Sequence, residues 1–288
     1  MRTFYYVHTG HRIGLDRFRR AAAIIKSLGD VDITLLSSDF RIAQIGKEFG
    51  IQKSVGLDVV RNIPQISHYG DQLIFDSEEA NPIMLNDMRE YFSTFIRVSD
   101  DKEDKKADNE LLISPYLQGE GICNAYVIDE KYFKESSKSV EISYFFGDDD
   151  YEKDLEENIK FLSSLDVNLQ LGFYYFLDFE DELKEKFPNH FEFEEYDEMI
   201  TKSKILITSS PQAVLDSLAA GAKPIYLQRA DYTAHFNDLF KSLNVPVVDN
   251  LDIGQVSDIL KTINNIEYEK PRNTCNEISE FIKENLNL

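Results

Sequence analysis

The chain has 288 residues, of which 42% are hydrophobic, a composition that can bury a sizeable core and argues against disorder. Its formal net charge of -21 disfavours broad binding to DNA, RNA or anionic lipid, because these polyanions would be repelled over most of the surface. The apolar runs are too short to span a bilayer and the first residues form no leader pattern, so we expect no membrane span and a cytoplasmic location.

Metal and disulfide chemistry have little support in the sequence. Cys123 and Cys275 are far apart and lack the spacing of metal ligands, so we interpret them as two reduced thiols. The five histidines form no zinc-binding array. We therefore expect neither a metal site nor a cofactor.

The first half of the chain alternates strand and helix patterns. Its apolar runs predict strands at 3–7, 31–36, 73–75, 92–98 and 111–113. Helical periodicity with glycine stop signals predicts helices at 16–28, 41–49 and 83–90. The charged stretch 100–108 is predicted to be a solvated loop, and the polar stretch 136–139 a linker.

The second half repeats the alternation. The predicted strands are 140–146, 168–174, 191–193, 205–207 and 224–227. The predicted helices are 152–165, 179–187, a short one from 197, 212–220 and 235–243, with an amphipathic C-terminal segment from 273. Such alternation is typical of a parallel sheet with crossover helices. We predict an α/β protein with two Rossmann-like domains, residues 1–138 and 139–288, that face a central cleft.

Ligands of open parallel sheets bind beyond the carboxyl ends of the strands, which selects the loops 10–17, 147–150 and 208–212. The third is the best phosphate candidate, because small residues before a helix N-terminus leave free N–H groups and a favourable dipole. Its candidate ligand-binding residues are Ser209, Ser210, Pro211 and Gln212. The alternative is an ordinary N-cap by Ser209 or Ser210, with Pro211 as the first helical residue.

Other candidates lie on the same helix and on the remaining loops. Asp216 could accept hydrogen bonds from a ribose diol, or it could be a surface aspartate. Gly147 begins a turn whose three aspartates, 148–150, are expected to cap a helix rather than bind a metal. In the first loop the candidate catalytic residues are His8, His11, Asp16 and Arg17, with a histidine as general base and Arg17 or Arg20 as a phosphate partner. Alternatively, these histidines are partly buried and the arginines are solvated.

Several segments, in sequential order, resemble one family. Residues 205–224 resemble the nucleotide-binding segment of the UDP-sugar hydrolases of pseudaminic acid biosynthesis (PseG, with its relative SpsG), which are similar to the MurG group of glycosyltransferases. The segments 97–101, 121–133, 144–148 and 231–243 resemble further family motifs in the same order. The resemblance implies a fold of the glycosyltransferase-B (GT-B) type and a UDP-sugar ligand, with Asp216 at the position of the ribose-binding glutamate.

One departure from the family concerns its catalytic base. The family motif Ile-Gly-x-Gly-His-x-x-Arg corresponds here to residues 13–20, in which Asp16 and Arg17 replace the glycine and the histidine. An arginine cannot serve as a general base at neutral pH because it stays protonated. Either His8 or His11 replaces the missing base, or hydrolysis is lost.

The resemblance implies an enzyme that processes a UDP-sugar in bacterial surface-glycan or nonulosonic acid synthesis and that acts as a hydrolase. Two alternatives remain. One is a GT-B glycosyltransferase; the other is a non-catalytic paralogue that binds a nucleotide-sugar or a partner enzyme of the same pathway. Loss of the family's Gly-His pair favours the paralogue, whereas the retained segment 205–224 favours an intact nucleotide site.

Overall fold

A computed structural model describes residues 1–10, 12–79, 81–173, 179–249 and 252–287. The chain forms two compact units. Unit 1 comprises Met1–Gly10, Arg17–Asp129 and Asn273–Leu288, and unit 2 comprises His11–Asp16 and Glu130–Arg272. The domain division between residues 138 and 139 stays a prediction, because compactness alone does not define a region that folds independently.

Each unit contains a fully parallel sheet. Among its described residues, unit 1 has seven strands: β1 (Thr3–Val7), β2 (Ile33–Ser37), β3 (Ser54–Gly56), β4 (Gln72–Asp76), β5 (Thr94–Val98), β6 (Leu111–Ser114) and β7 (Ile122–Asn124). The described part of unit 2 has six: β8 (Val140–Phe145), β9 (Asn168–Gln170), β10 (His190–Phe191), β11 (Ser203–Thr208), β12 (Lys223–Gln228) and β13 (Val247–Asp249). The prediction of two parallel-sheet α/β domains is confirmed.

The helices are α1 (Asp16–Leu28), α2 (Phe40–Ile45), α3 (Ile63–Ile66), α4 (Pro82–Tyr91), α5 (Ile159–Ser164), α6 (Phe179–Lys186), α7 (Tyr196–Lys202), α8 (Pro211–Ala219), α9 (Asn237–Ser242), α10 (Ile253–Thr262) and α11 (Cys275–Asn285). Short 3₁₀ turns join or extend several of them. Among the described residues, no helix combines the length and apolar character that crossing a membrane requires.

Over the described residues, the six strands of unit 2 follow the same order as the first six of unit 1, whose sheet has one more strand at the end. The order is β3-β2-β1-β4-β5-β6-β7 in unit 1 and β10-β9-β8-β11-β12-β13 in unit 2. In each sheet the second and third strands are added on one side of the first strand. The fourth strand pairs with the first strand on its other side, and the later strands continue from there. This reversal, between β1 and β4 and between β8 and β11, is the switch point at which doubly wound folds bind ligands.

The first strand and helix illustrate how the sequence specifies these units. All five residues of β1 are buried, as expected for a central parallel strand that is covered on both faces. On α1, Phe18, Ala21 and Leu28 are buried at helical spacing. The helix ends before Gly29, which has a left-handed φ of 64°. The predicted bounds of both elements are confirmed.

Other predicted bounds were wrong. In place of one helix over 152–165, a 3₁₀ turn (Asp154–Asn158) precedes α5. The cause is Asp150, whose carboxylate accepts hydrogen bonds from the N–H groups of Asp154 and Leu155 at 2.7 and 3.3 Å and so starts a tight turn. The strand predicted at 168–174 is β9 alone, and residue 174 lies outside the described residues.

Candidate functional site

The candidate site is the switch point of unit 2, where β8 and β11 lie side by side. Phe145 at the end of β8 is in register with Thr208 at the end of β11, and the Ser209 N–H donates to the Phe145 carbonyl at 3.3 Å. The turn 147–150 and the loop 208–212 therefore leave adjacent strands at the same edge of the sheet. Two of the three predicted ligand loops meet here.

The N-terminus of α8 is formed by three of the predicted residues. Ser210 is the N-cap, and its hydroxyl oxygen accepts a hydrogen bond from the Ala213 N–H at 3.1 Å. Pro211 is the first helical residue. Thr208 stabilises the turn, since its hydroxyl oxygen accepts from the Ser210 N–H at 3.0 Å. The N-cap arrangement predicted as the alternative to a phosphate site is thus present.

A carboxylate occupies the anion position at the N-terminus of α8. The Ser210 hydroxyl donates to Asp16 Oδ1 at 2.6 Å, and the Gln212 N–H donates to Asp16 Oδ2 at 3.1 Å. Negative charge is favourable at a helix N-terminus because the unpaired N–H groups and the helix dipole both attract it. Asp16 therefore acts as an acceptor for the first turn of α8, whereas the sequence placed it with the candidate bases.

The turn after β8 is glycine-dependent and acidic. Gly147 has a φ of 138°, and a Cβ at this position would lie 2.6 Å from Asp149 Oδ1. Asp148 and Asp150 are buried, and Asp150 caps the following 3₁₀ turn as predicted for this group of acids. Within the described ranges, no group of three or more acidic, histidine or cysteine side chains is arranged to hold a metal ion.

Arg229, directly after β12, balances this acidic turn. Its Nη1 donates to Asp149 Oδ2 at 2.8 Å and its Nη2 to Asp231 Oδ2 at 2.5 Å, and the guanidinium lies 4.6 Å from the ring centroid of Phe146. Burial raises the pKa of Asp149 to about 7; Arg229 opposes this rise, whereas the nearby carboxylates of Asp16 and Asp148 add to it. Sequence reasoning missed Arg229, although an arginine at the carboxyl end of a parallel strand was an available signal.

Asp216 lies one turn further along α8 and is 2% exposed. Tyr196 donates to its Oδ2 at 3.0 Å, and the Gln212 side-chain amide donates to its Oδ1 at 2.8 Å. These two contacts orient the carboxylate. The structure therefore excludes the alternative that Asp216 is a surface aspartate.

Tyr226 of β12 is a further residue that sequence reasoning missed. It is fully buried, and its ring packs edge-on against Phe240 with centroids 4.7 Å apart. Its hydroxyl has no hydrogen-bond partner among the described residues. Burial raises the pKa of Tyr226, and the negative charges of Asp16 and Asp149 raise it further. Tyr226 is in register with Thr208, the last residue of β11.

Two other predicted catalytic residues, His8 and Arg17, lie in unit 1, at the switch point between β1 and β4. His8 follows β1, and its Nδ1 lies 3.5 Å from Oε1 of Glu78, which follows β4. Arg17 Nη2 donates to Glu78 Oε2 at 3.1 Å. The nearby His8 ring lowers the pKa of Glu78, and the Arg17 charge lowers it further. His11 lies outside the described residues.

Arg20 forms the buried part of the same cluster. Its Nε and Nη2 donate to the two carboxylate oxygens of Asp76, at 2.9 and 2.5 Å, and its Nη1 donates to Asp100 at 3.2 Å. The Tyr5 hydroxyl donates to Asp76 Oδ2 at 3.1 Å. Arg20 is therefore fixed by carboxylates of its own unit, unlike the solvated or phosphate-binding arginine of the two sequence-based alternatives.

No protein-family model matches the sequence, and no curated protein matches it. Solved structures do. MnaA of S. aureus with UDP is similar with a TM-score of 0.64 at 11% identity, over 100% of this chain and 98% of that one. The UDP-GlcNAc 2-epimerase of Methanocaldococcus jannaschii, in complex with UDP-GlcNAc and UDP, has a TM-score of 0.61 at 10% identity, over 98% and 99%. MurG of Acinetobacter baumannii has a TM-score of 0.56 at 10% identity, over 99% and 100%.

At these identities the likeness establishes the fold, which is of the GT-B type. The GT-B prediction from the sequence is confirmed. The comparisons do not identify the pseudaminic acid family, so that part of the resemblance stays a prediction.

Proposed function

We propose that this chain binds a UDP-sugar at the switch point of unit 2 and processes it as a hydrolase or a glycosyltransferase. The observation that carries the proposal is the convergence of the Gly147 turn and the N-terminus of α8 at the ends of two adjacent strands. Hydrogen-bond donors at such a position suit a diphosphate. The GT-B fold adds support, because similar structures are complexes with UDP or UDP-GlcNAc.

The residue roles follow from the donors and acceptors at this edge. The diphosphate would accept hydrogen bonds from the Gln212 N–H and from the hydroxyls of Ser209 and Ser210, while Gly147 allows close approach of the backbone. Asp216 would accept hydrogen bonds from the ribose diol. In either reaction the bond between the anomeric carbon and the diphosphate oxygen breaks, and its electron pair leaves with UDP. The nucleophile oxygen forms the new bond and loses a proton to a base.

We assign the base to His8, on the evidence of its immediate surroundings. Among the described candidates it is the imidazole that has a carboxylate, Glu78, within ion-pair distance of its Nδ1. A carboxylate near the ring would stabilise the imidazolium that forms when the base accepts a proton. Arg17 has the complementary role of holding Glu78 ionised.

The pathway and the partners follow only from the family resemblance. We propose bacterial surface-glycan or nonulosonic acid synthesis, with a partner enzyme of the same pathway. The non-catalytic alternative has one observation in its favour, namely that Asp16 fills the anion position of α8. A nucleotide-binding paralogue would keep the unit 2 site and need no base.

Isothermal titration with UDP, UDP-GlcNAc and ADP tests the binding site. Ser210→Gly should weaken UDP binding about tenfold, because a charge-assisted hydrogen bond is lost while glycine remains an acceptable N-cap. Asp252→Gly removes the N-cap of another unit 2 helix, α10, and should leave UDP binding unchanged. If no uridine nucleotide binds to the unmodified chain, the enzyme hypothesis fails and a partner-binding protein becomes the better interpretation.

Measurement of the UDP released during turnover then tests the assignment of His8 as the base. For any UDP-sugar that binds, His8→Ala should lower turnover at least a hundredfold and leave the dissociation constant of UDP within twofold. Equal turnover of His8→Ala and the unmodified chain would remove His8 from the mechanism.

A further inference from the structure

The anion position of α8 is already filled by a group of the chain itself. Asp16 takes two of the three donors proposed above for a diphosphate, the Ser210 hydroxyl and the Gln212 N–H, at 2.6 and 3.1 Å. Two anions cannot share these donors, because each contact is directed and the charges repel. A phosphate-bearing ligand would therefore have to exchange with the Asp16 carboxylate.

A second observation points to a ligand at this place. The Tyr226 side chain is fully buried, and its hydroxyl has no hydrogen-bond partner among the described residues. Tyr226 is in register with Thr208, the last residue of β11, so it lies on the strand beside the one that leads into α8. Buried hydroxyls are nearly always hydrogen-bonded, and leaving one unpaired is costly. The ring also packs edge-on against Phe240, with the centroids 4.7 Å apart. Tyr226 therefore supplies an unpaired donor on the strand next to the α8 N-terminus.

We propose that Asp16 is a specificity-determining residue, an internal counter-anion that holds the phosphate position of unit 2 and is displaced by the diphosphate of an incoming ligand, to which Tyr226 then donates. This rests on the proposed function. A diphosphate, with two phosphoryl groups, replaces both Asp16 contacts and adds one at Tyr226. A nucleoside has no group that replaces them, and a nucleoside monophosphate supplies only one phosphoryl group.

The neighbouring acidic residues add to the preference for a diphosphate over a nucleoside or a nucleoside monophosphate. Asp148 and Asp149 lie close enough to Asp16 to influence the same cluster, and Arg229 is held by Asp149 and Asp231. An anion that enters without displacing Asp16 would therefore meet several carboxylates and one paired cation. Only an anion that binds more strongly than the Asp16 carboxylate would displace it from the α8 donors.

The test compares UDP binding by the unmodified chain with binding by Asp16→Asn. The amide has the shape of the carboxylate but no charge, so it should compete poorly for the α8 donors. We expect UDP to bind at least ten times more tightly to Asp16→Asn, and the ratio of UDP to UMP affinity to fall. Glu141→Gln is the control. It also removes one negative charge, but near the start of β8, at the opposite end of the strands from the α8 N-terminus, where Glu141 pairs with Lys204. It should change the affinity less than twofold.

Asp16→Ser is a second variant that also removes the charge, for use if Asp16→Asn folds poorly. Tyr226→Phe tests the role of the hydroxyl, and it should weaken UDP binding at least fivefold without changing UMP binding. Unchanged or weaker UDP binding by both Asp16 variants, with measurable binding by the unmodified chain, would overturn the inference and leave the proposed function intact. Absence of UDP binding in all variants would overturn the proposed function as well.

Discussion

Replacement of Asp76 by asparagine tests the buried ion cluster of unit 1. The Asp76 side chain is fully buried and accepts two hydrogen bonds from Arg20 and one from Tyr5. Removing one charge of a buried pair costs roughly 3–5 kcal/mol, because the other charge stays desolvated and uncompensated. The asparagine oxygen can still accept one of these hydrogen bonds and Asp100 still pairs with Arg20, so we expect about 3 kcal/mol, the lower end of that range.

Asp32→Asn provides the comparison. Asp32 pairs with Lys53 at 2.7 Å, a distance close to the 2.5 Å of the Arg20–Asp76 pair. The side chains of Asp32 and Lys53 are, however, both more than half exposed. An exposed pair contributes about 0–1 kcal/mol. Urea unfolding followed by far-UV circular dichroism measures both free energies, and the absence of tryptophan makes fluorescence the less suitable probe. The reasoning is refuted if Asp76→Asn lowers the free energy of unfolding no more than Asp32→Asn does.

Two further predictions concern a buried acid and a strand glycine. Because the pKa of Asp149 is raised to about 7, its contribution to stability is full below about pH 4 and is lost as the pH rises through 7, by up to about 4 kcal/mol. Melting temperatures of the unmodified chain and Asp149→Asn should therefore diverge over this interval; parallel curves would contradict the shift. Gly56→Ala should lower the free energy of unfolding by about 1–3 kcal/mol, because the added Cβ would overlap the backbone of Phe40. At Gly29 an added Cβ would meet no described atom within 4 Å. Gly29→Ala should therefore cost only about 1 kcal/mol, through the left-handed φ of this position. Urea midpoints for the two alanine variants decide this, and equal values would remove the steric explanation.

The fold was predicted well where local signals agree with tertiary structure. The bounds of β1 and α1 follow from an apolar run, a helical stripe and Gly29. The strands β3, β7 and β13 were not predicted, because each has three residues and lies at a sheet edge, where few positions need to be apolar. The 3₁₀ turn before α5 was missed because its apolar periodicity is helical, whereas the left-handed φ of Lys153 and the contacts of the Asp150 carboxylate leave no trace in that pattern.

The site was predicted less well, because its decisive contacts join distant parts of the chain. The loops 147–150 and 208–212 were found from strand ends alone. No local pattern reveals that Asp16 accepts from Ser210, which lies 194 positions away. Nor does the sequence show which strand-end residue balances the acids, so Arg229 was missed although β12 itself was predicted.

The helix α11 has a consequence for the order in which the chain can be completed during synthesis. Although it comes last, it belongs to unit 1: the Thr274 hydroxyl donates to the Tyr126 carbonyl, and the Ser279 hydroxyl to the Ser27 carbonyl. At about 5–20 residues per second, translation of Glu130–Arg272 separates the two parts of unit 1 by roughly 10–30 s. During that interval the nascent unit 1 lacks one of its covering helices, while unit 2 already has its complete sheet. The ribosome therefore imposes an assembly sequence in which the unit begun first is finished last.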